Sequence, residues 1–235
     1  SNYFYFTGTY YGLFEGCSKL KSIRCLAATA PTIDNEVFTG VPSGLTALDR
    51  MTAGWQPSDL VIIAARPAMG KTAFVLSVAR NAAVDHDKPV VVFSLEMSSV
   101  QLVNRLIAGE TEIEQEKLKK GNLADHEWQQ LHSRIGRLTS APLIIDDTPA
   151  LNVFEFRAKC RRLKAQHDIQ MVIVDYLQLM HGKPEGKGGG NREQEIGSIS
   201  RALKSVAKEL NIPVLALSQL SRAVESRPGN SKRPM

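Results

Sequence analysis

The sequence of 235 residues predicts an α/β fold in which a central, mostly parallel sheet carries helices on both faces. Three observations support this prediction. Short apolar runs alternate regularly with helix-like stretches from Val37 onward, an order that is typical of parallel sheets. The runs are apolar at nearly every position, as strands buried on both faces are. Polar residues follow four of the runs, so they would share one edge of the sheet.

The individual elements follow from these patterns. The strand candidates are Leu60–Ala64, Val90–Ser94, Leu143–Asp146, Met171–Asp175 and Val214–Ser218. The helix candidates are Lys71–Ala83, Ser99–Ala108, Asp125–Leu138, Asn152–Gln166 and Arg192–Leu210. The last of these has apolar residues at three- and four-residue steps, which predicts one face that packs on the sheet. Asn152 with Glu155 has the spacing of a reciprocal N-terminal cap.

Length and composition bound the class of protein. A content of 43% hydrophobic residues allows one α/β core, which we place at residues 36–235. Lys and Arg exceed Asp and Glu by five, which is compatible with a polyanionic partner but does not prove one. The three cysteines lack the spacing of a disulfide framework or a zinc site. Their number and spacing make a reducing cytoplasm the simplest location. No apolar run reaches the roughly 18 residues of a membrane span, so we expect no membrane partner.

Residues 1–35 differ from the rest and are interpreted as an aromatic arm followed by a linker. The segment from Tyr3 to Phe14 is rich in Tyr and Phe and has, at best, the composition of a hairpin. An arm that packs on this or a neighbouring subunit, and a segment peculiar to this chain, are both favoured over base stacking, because basic residues are not interleaved with the rings.

The first strand candidate runs into a phosphate-binding loop and then into a helix. Gly70 would let the backbone approach the phosphates, Lys71 would bring a charge to the β and γ groups, and Thr72 would offer its hydroxyl to Mg²⁺. Ala65 stands where the usual G-x-x-x-x-G-K-[ST] pattern has glycine, which matters if that position needs a positive φ. A structural turn is the alternative to a nucleoside triphosphate site. The expected nucleotide contacts are Ala65, Arg66, Pro67, Ala68, Met69, Gly70, Lys71, Thr72 and Ala73.

Three further strand ends carry candidate catalytic or metal-binding groups. Asp175 follows four apolar residues and is expected to hold Mg²⁺ together with Thr72, although it could cap a loop instead. Glu96 could activate the attacking water as a general base, or could favour the start of the next helix through its dipole. Gln219 is the candidate sensor of the γ-phosphate.

The remaining polar segments are less specific. Asp146 and Asp147 also end a strand, but Thr148 follows, so a turn cap is at least as good an interpretation. Basic, glycine-rich residues from His181 to Arg192, and a basic tail from Arg222, could follow a phosphodiester backbone without reading bases. A solvated loop is the alternative.

Six blocks in order resemble the C-terminal motor domain of the DnaB-type bacterial replicative DNA helicases, over about Thr39 to Met235. The blocks are Gly44–Asp49 with Gly54-Trp55, Ala64–Thr72, Phe93–Ser98, Asp175–Met180, Arg192–Ile196 and Leu217–Leu220. The resemblance implies a RecA-like P-loop NTPase fold and allows alanine at position 65. It also implies that Glu96 is the catalytic base and that Gln219 senses the γ-phosphate, with Lys71 as the third catalytic residue.

The resemblance further implies an assembly and its partners. It implies a hexameric ring that binds ATP and Mg²⁺ between neighbours, holds single-stranded DNA in its channel and unwinds duplex in the 5′ to 3′ direction during replication. The DNA contacts are then expected at Lys183, Lys187, Arg192, Glu193 and Arg222. Primase and a helicase loader are expected partners of the full-length protein in the bacterial cytoplasm.

Two departures from the family pattern limit these expectations. The helical N-terminal domain of the family is not recognisable before Asn35, and the chain stops at Met235, before the basic finger that reaches into the neighbour's site. Since such a finger supplies much of the rate of phosphoryl transfer, we expect ATP binding with little hydrolysis by this chain alone. The alternatives are therefore a nucleotide-binding module without helicase activity of its own, or another RecA-family ATPase.

Overall fold

The computed structural model describes residues 2–5, 24–27, 40–180 and 192–220, and the fold is given for these ranges. The strands are β1 (Asn2–Tyr5), β2 (Arg24–Ala27), β3 (Leu60–Ala65), β4 (Val90–Ser94), β5 (Leu143–Asp146), β6 (Met171–Asp175) and β7 (Val214–Gln219). The five strands predicted from the sequence correspond to β3–β7, and each predicted boundary agrees to within one residue.

The helices are α1 (Thr46–Thr52), α2 (Lys71–Arg80), α3 (Ser99–Thr111), α4 (Gln115–Lys120), α5 (Asp125–Ser140), α6 (Val153–His167) and α7 (Arg192–Leu210). The prediction missed α1 and α4, which are only seven and six residues long. It also extended α2 to Ala83, whereas the backbone widens into a π-helical turn from Asn81 to Asp85. A 3₁₀ turn covers Leu177–Leu179.

Strands β3–β7 form one parallel sheet in the order β3-β7-β6-β4-β5. The parallel sheet predicted from the sequence is therefore confirmed. β7 comes late in the chain yet lies between β3 and β6, so the residues at its carboxyl end stand between those of the other two strands. All five carboxyl ends lie along one edge of the sheet, where ligands bind in open α/β folds.

Apolar cores cover both faces of the sheet, as the apolar strands predict. Along β6, Ile173 packs in a core with α2 and α3, whereas Val172 and Val174 pack in a second core with α6 and α7. Phe93 and Phe156 meet edge to face on that second side, with ring centroids 5.0 Å apart. Because both faces are buried, the backbone edge that carries the polar strand ends is held rigidly.

A buried carboxylate fixes the segment that precedes β3. Asp49 is buried and accepts hydrogen bonds from the backbone N–H groups of Ser43 at 2.9 Å and Gly44 at 3.1 Å. Gly44 has a φ of +75°, and an added Cβ would meet the Asn81 side chain at 2.4 Å. Asn81 in turn donates to the Ser43 carbonyl at 3.1 Å. This loop therefore anchors the carboxyl end of α2.

Strands β1 and β2 form a separate antiparallel pair. The hairpin-like composition noted for Tyr3 to Phe14 is thus only partly informative, because β1 pairs with residues much further along the chain. Residues 181–191 of the basic, glycine-rich segment lie outside the described residues. Within the described ranges, no helix has the length and apolar character needed to cross a membrane.

Candidate nucleotide-binding site

The segment between β3 and α2 has the geometry of a phosphate-binding loop. Gly70 precedes α2 with a φ of +85°, and Ala68 also adopts the left-handed region at +59°. Ala65, by contrast, is the last residue of β3, pairs with Gln219 of β7 and does not have a positive φ. Alanine at the position of the usual first glycine is therefore unstrained.

Thr72 and Asp175 meet at the start of α2. The Thr72 hydroxyl Oγ1 donates to Asp175 Oδ2 at 2.8 Å, although the two residues are 103 positions apart in the chain. Asp175 is the last residue of β6 and is only 1% exposed. Its other oxygen, Oδ1, is buried and has no hydrogen-bond partner in the structure. One oxygen of this carboxylate thus remains available for a cation.

Lys71 brings a second buried charge to the same place. Its side chain is buried, its Nζ has no hydrogen-bond partner, and Nζ lies 4.9 Å from the centre of the Tyr176 ring. Burial lowers the pKa of Lys71, and the negative charges of Asp175 and Glu96 partly offset this effect. An ammonium that is desolvated and lacks a hydrogen-bonded anion is well suited to receive a phosphate.

The pKa of Asp175 shifts in the opposite direction. Burial raises it, and the repulsion from Glu96 adds to the rise, while Thr72, Lys71 and Arg105 act against it. A buried carboxylate with one unsatisfied oxygen fits a hard cation such as Mg²⁺, which prefers oxygen ligands and keeps several of its own waters. Within the described residues, no cluster of three or more His, Cys, Asp or Glu side chains offers a complete metal cage.

Glu96 follows β4 and stands near both charges. Its side chain is exposed, and the backbone N–H of the neighbouring Leu95 donates to the Asp175 carbonyl at 2.8 Å. Glu96 lies two residues before Ser98, the N-cap of α3, and is therefore outside the first turn of that helix, which contains no acidic residue. Ser98 caps that helix instead, in a reciprocal arrangement with Gln101.

Gln219 ends β7 and lies beside the phosphate-binding loop. Its backbone pairs with Ala65, and the next residue, Leu220, donates to the Ala65 carbonyl at 3.1 Å. On the other side, the Gln219 backbone is hydrogen-bonded by the side chain of Gln178. The structure therefore brings Lys71, Asp175 and Gln219 to one sheet edge, with Glu96 next to them.

Sequence reasoning missed three residues at this edge. Tyr176 lies under the Lys71 ammonium, Gln178 holds the end of β7, and the positive charge of Arg105 on α3 acts on Asp175. Tyr176 and Gln178 belong to a block that the family resemblance quoted. No local pattern singled them out, because their partners come from distant parts of the chain.

The strand end at β5 is built differently. Asp146 Oδ1 accepts from the Thr148 backbone N–H at 3.0 Å, and Lys159 donates to its Oδ2 at 2.6 Å. Asp147 accepts from the Ser99 backbone N–H at 2.7 Å, at the start of α3. Asp146 therefore caps the turn, as one interpretation of this segment predicted, whereas Asp147 caps the start of α3.

The residues expected to contact DNA are largely outside the described ranges. Lys183, Lys187 and Arg222 fall in the gaps. Arg192 and Glu193 begin α7, but only their backbone is described.

A phosphate-binding loop joins the parallel strand β3 to α2, and the Asp175 carboxylate at the end of β6 contacts the threonine of that loop. This arrangement defines a P-loop NTPase of the RecA-like class. Comparison with protein families narrows this class. The model of the DnaB-like helicase C terminal domain matches residues 40–235, and the chain belongs to this family. The resemblance stated from the sequence is thereby confirmed.

Individual relatives agree with this assignment. The chain is 52% identical over 198 residues to the replicative DNA helicase DnaC of Bacillus subtilis, which covers 84% of this chain and 43% of that protein. It is 50% identical over 202 residues to the replicative DNA helicase DnaB of Geobacillus stearothermophilus, covering 86% and 43%. The chain thus spans less than half the length of these relatives.

Solved structures share the fold. The ATPase domain of G40P superposes with a TM-score of 0.77 at 41% identity, covering 86% of this chain and 70% of that one. A DnaB-like replicative helicase, studied with its interactions with primase, gives a TM-score of 0.76 at 41% identity over 86% of this chain and 48% of that one.

Proposed function

We propose that the chain is the ATP-hydrolysing motor domain of a replicative DNA helicase. In this proposal it binds ATP and Mg²⁺ between subunits of a hexameric ring and moves 5′ to 3′ on single-stranded DNA. The observation that carries the proposal is the pair of buried, unsatisfied atoms that flank Thr72: the Lys71 Nζ and the Asp175 Oδ1. Leaving two such atoms unpaired is costly unless a ligand completes them.

Each residue at the sheet edge has a defined task in this proposal. The backbone from Ala65 to Ala73 cradles the phosphates, with N–H groups at the start of α2. Lys71 neutralises charge on the β- and γ-phosphates, while Thr72 and Asp175 hold Mg²⁺. When bound, that cation balances the negative charge that builds on the phosphate oxygens during transfer.

Glu96 is the proposed general base. Its exposed position leaves its carboxylate open to solvent water, and its charge already acts on Lys71 and Asp175. The oxygen of a water would attack the γ-phosphorus while Glu96 accepts the proton, and the bond to the β–γ bridging oxygen breaks to leave ADP and phosphate. Gln219 is the proposed sensor, since its strand end touches the loop at Ala65.

The ring and the DNA belong to the same proposal. The relatives' names as replicative DNA helicases support a replication role, and the net charge of +5 is compatible with a polyanion. Lys183, Lys187, Arg192, Glu193 and Arg222 are the proposed DNA contacts. Primase and a helicase loader are the proposed partners of the full-length protein, which would act at the replication fork in a bacterial cytoplasm.

Nucleotide binding is tested first, with Lys71→Ala and the exposed control Lys119→Ala. Loss of a charged hydrogen bond is worth about 1.5–3 kcal/mol, so Lys71→Ala should weaken binding of a fluorescent ATP analogue with Mg²⁺ by roughly 10- to 150-fold. Lys119 lies on α4, away from the loop, and its variant should bind as the parent does. Equal affinity for Lys71→Ala and the parent would contradict the proposed site.

Hydrolysis is tested with Glu96→Gln in the full-length protein, with Glu114→Gln as the exposed control. Glu96→Gln should keep the ATP affinity within about twofold and lose at least about 100-fold in kcat, because general-base catalysis typically contributes about 10²–10⁴-fold. Normal turnover by this variant would remove Glu96 from the mechanism. Unwinding of a forked duplex by the parent, but not by Glu96→Gln, would support the helicase assignment.

A further inference from the structure

The end of β7 is held by a side chain rather than by a neighbouring strand. The backbone pairing of β6 with β7 reaches only Val174 and Ala216, while β7 continues to Gln219. On its other side β7 stays paired with β3 as far as Ala65 and Gln219. The last three residues of β7 therefore lack a strand partner on the β6 side.

Gln178 takes the place of that missing strand. Its Nε2 donates to the Gln219 carbonyl at 3.1 Å, and its Oε1 accepts from the Gln219 backbone N–H at 3.2 Å. Nε2 also donates to the Ser218 Oγ at 2.9 Å. A primary amide carries both donors and an acceptor, so it can pair with the backbone of one residue much as a parallel strand would.

Few other side chains could replace this amide. A Glu at position 178 would have the right length, but its ionised carboxylate has no donor and would face the Gln219 carbonyl. An Asn would be one methylene shorter. A Leu would fill similar space and leave the Gln219 N–H and carbonyl without their partner. The interaction therefore depends on the amide group and on its reach.

We propose that Gln178 is a positioning residue that links the metal-binding strand end to the sensor strand end. Gln178 lies in the 3₁₀ turn that starts two residues after Asp175. Its hydrogen bonds to the Gln219 backbone therefore fix the distance between the end of β6, at Asp175, and the end of β7, at Gln219. The inference rests on the proposed function, because it gives Gln219 a role at the γ-phosphate. It adds that Gln219 is held in place from the β6 side by one amide.

The hydrogen bonds between the Gln178 side chain and the Gln219 backbone are tested without any activity measurement. Backbone amide hydrogen exchange in the 235-residue chain should show the Gln219 N–H exchanging about tenfold faster in Gln178→Leu than in the parent, because its acceptor has been removed. Gln166→Leu, at an exposed position on α6, is the matched control and should leave exchange at Gln219 unchanged. Unchanged exchange in Gln178→Leu would overturn the proposal.

The role is tested by a double-mutant cycle on ATPase activity in the full-length protein, with Gln178→Leu, Gln219→Ala and the double variant. Gln178→Leu should lower kcat about tenfold with KM within about twofold, since displacement of a catalytic group chiefly affects the transition state. In the Gln219→Ala background, Gln178→Leu should lower kcat by less than about twofold, because the Gln219 side chain that Gln178 positions is already absent.

The outcomes separate this inference from the proposed function. Effects that multiply in the double variant would show that Gln178 acts independently of Gln219, and would overturn the proposal even if the protein is an ATPase. Ser218→Ala removes one of the three hydrogen bonds and should give a smaller loss of kcat than Gln178→Leu; an equal or larger loss would contradict the proposed dominance of the Gln219 pairing. If the unmodified protein binds no ATP, the proposed function is contradicted instead. The exchange experiment still reports on the hydrogen bonds between Gln178 and Gln219.

Discussion

Asp175 and Asp146 close two strands of the same sheet with the same sequence pattern, an apolar run followed by Asp. β6 lies between β7 and β4, and all of its residues are buried, whereas β5 pairs only with β4 among the described strands and its residues are half-buried. Asp175 keeps one oxygen without a partner, while Asp146 is bonded by Thr148 and Lys159. The position of a strand in the sheet, and not its sequence pattern, separates a ligand-ready carboxylate from a structural one.

The pKa values follow the same division. Burial raises the pKa of Asp175, and Thr72, Lys71 and Arg105 offset that rise only in part. Burial also acts to raise the pKa of Asp146, but hydrogen bonds from Lys159 and Thr148 outweigh it, so the pKa lies below its ordinary value. The surroundings of Asp175 thus favour its neutral form, whereas Lys159 and Thr148 stabilise Asp146 as an anion.

The largest expected effect is on ATP turnover, which should depend on Asp175 and not on Asp146. Asp175→Asn should lower Mg²⁺-dependent ATP turnover of the full-length protein by about 100-fold or more, because the proposed metal ligand and its charge are lost. Asp146→Asn is the matched control and should retain turnover within about threefold. Steady-state phosphate release at saturating ATP measures the turnover of both variants. Comparable losses in Asp175→Asn and Asp146→Asn would contradict the different roles assigned to the two carboxylates.

A smaller effect, opposite in sign for the two positions, is expected on stability. Asn mimics the neutral carboxyl, so Asp175→Asn should raise the free energy of unfolding of the nucleotide-free chain at pH 7 by about 1 kcal/mol. Asp146→Asn should lower it by about 1 kcal/mol, the upper range for a partly exposed ion pair. Urea unfolding followed by circular dichroism measures both, and a change of the same sign in both variants would contradict the assigned pKa directions.

Acidification should reduce the differences in unfolding free energy between the parent and each of the two variants, Asp175→Asn and Asp146→Asn. The depressed pKa of Asp146 contributes stability above the unfolded value of about 3.9, and this contribution is lost as the pH falls through the folded value. The raised pKa of Asp175 imposes a cost that is absent below the unfolded value, grows between the unfolded and the folded value, and is complete above the folded value. The difference in unfolding free energy between the parent and Asp175→Asn should therefore begin to close at a higher pH than the difference for Asp146→Asn. Urea titrations from about pH 7 down to about pH 3 cover both transitions, because the Asp146 contribution is lost only below the unfolded value.

The smallest effect is expected at Asp147. Its pKa is lowered by the backbone N–H of Ser99, with which it caps α3, and its side chain is exposed. Asp147→Ala should lower the urea midpoint by less than Asp146→Asn does, and ATP turnover should not change. A larger loss at Asp147 than at Asp146 would show that the helix cap, rather than the ion pair, dominates this edge.

Much of this architecture could be predicted from the sequence, and the exceptions have physical causes. The strands were predictable because buried parallel strands are apolar throughout. The meeting of Thr72 and Asp175 was predictable because parallel strand ends share an edge. Helices α1 and α4 were missed because they are too short for a clear periodicity. The contact of Gln178 with Gln219 could not be predicted, since it depends on which strand lies next to β6.

The candidate site was predictable to a similar extent. The phosphate-binding loop followed from a local motif. The family resemblance already allowed alanine at position 65, and the structure gives the physical reason, since Ala65 ends β3 without a positive φ. Tyr176 and Arg105 gave no local signal, because their importance comes from the Lys71 ammonium and the Asp175 carboxylate that they approach. The roles of Glu96 and Gln219 stay predictions.

The strand order has a consequence for how the protein is made. β7 is the last of the described strands to be synthesised, yet it lies between β3 and β6. While the chain emerges from the ribosome, the strand that leads into Lys71 and the strand that ends at Asp175 cannot both join a finished sheet. Lys71 and Asp175 therefore reach their common sheet edge only in a chain that has been synthesised at least through β7.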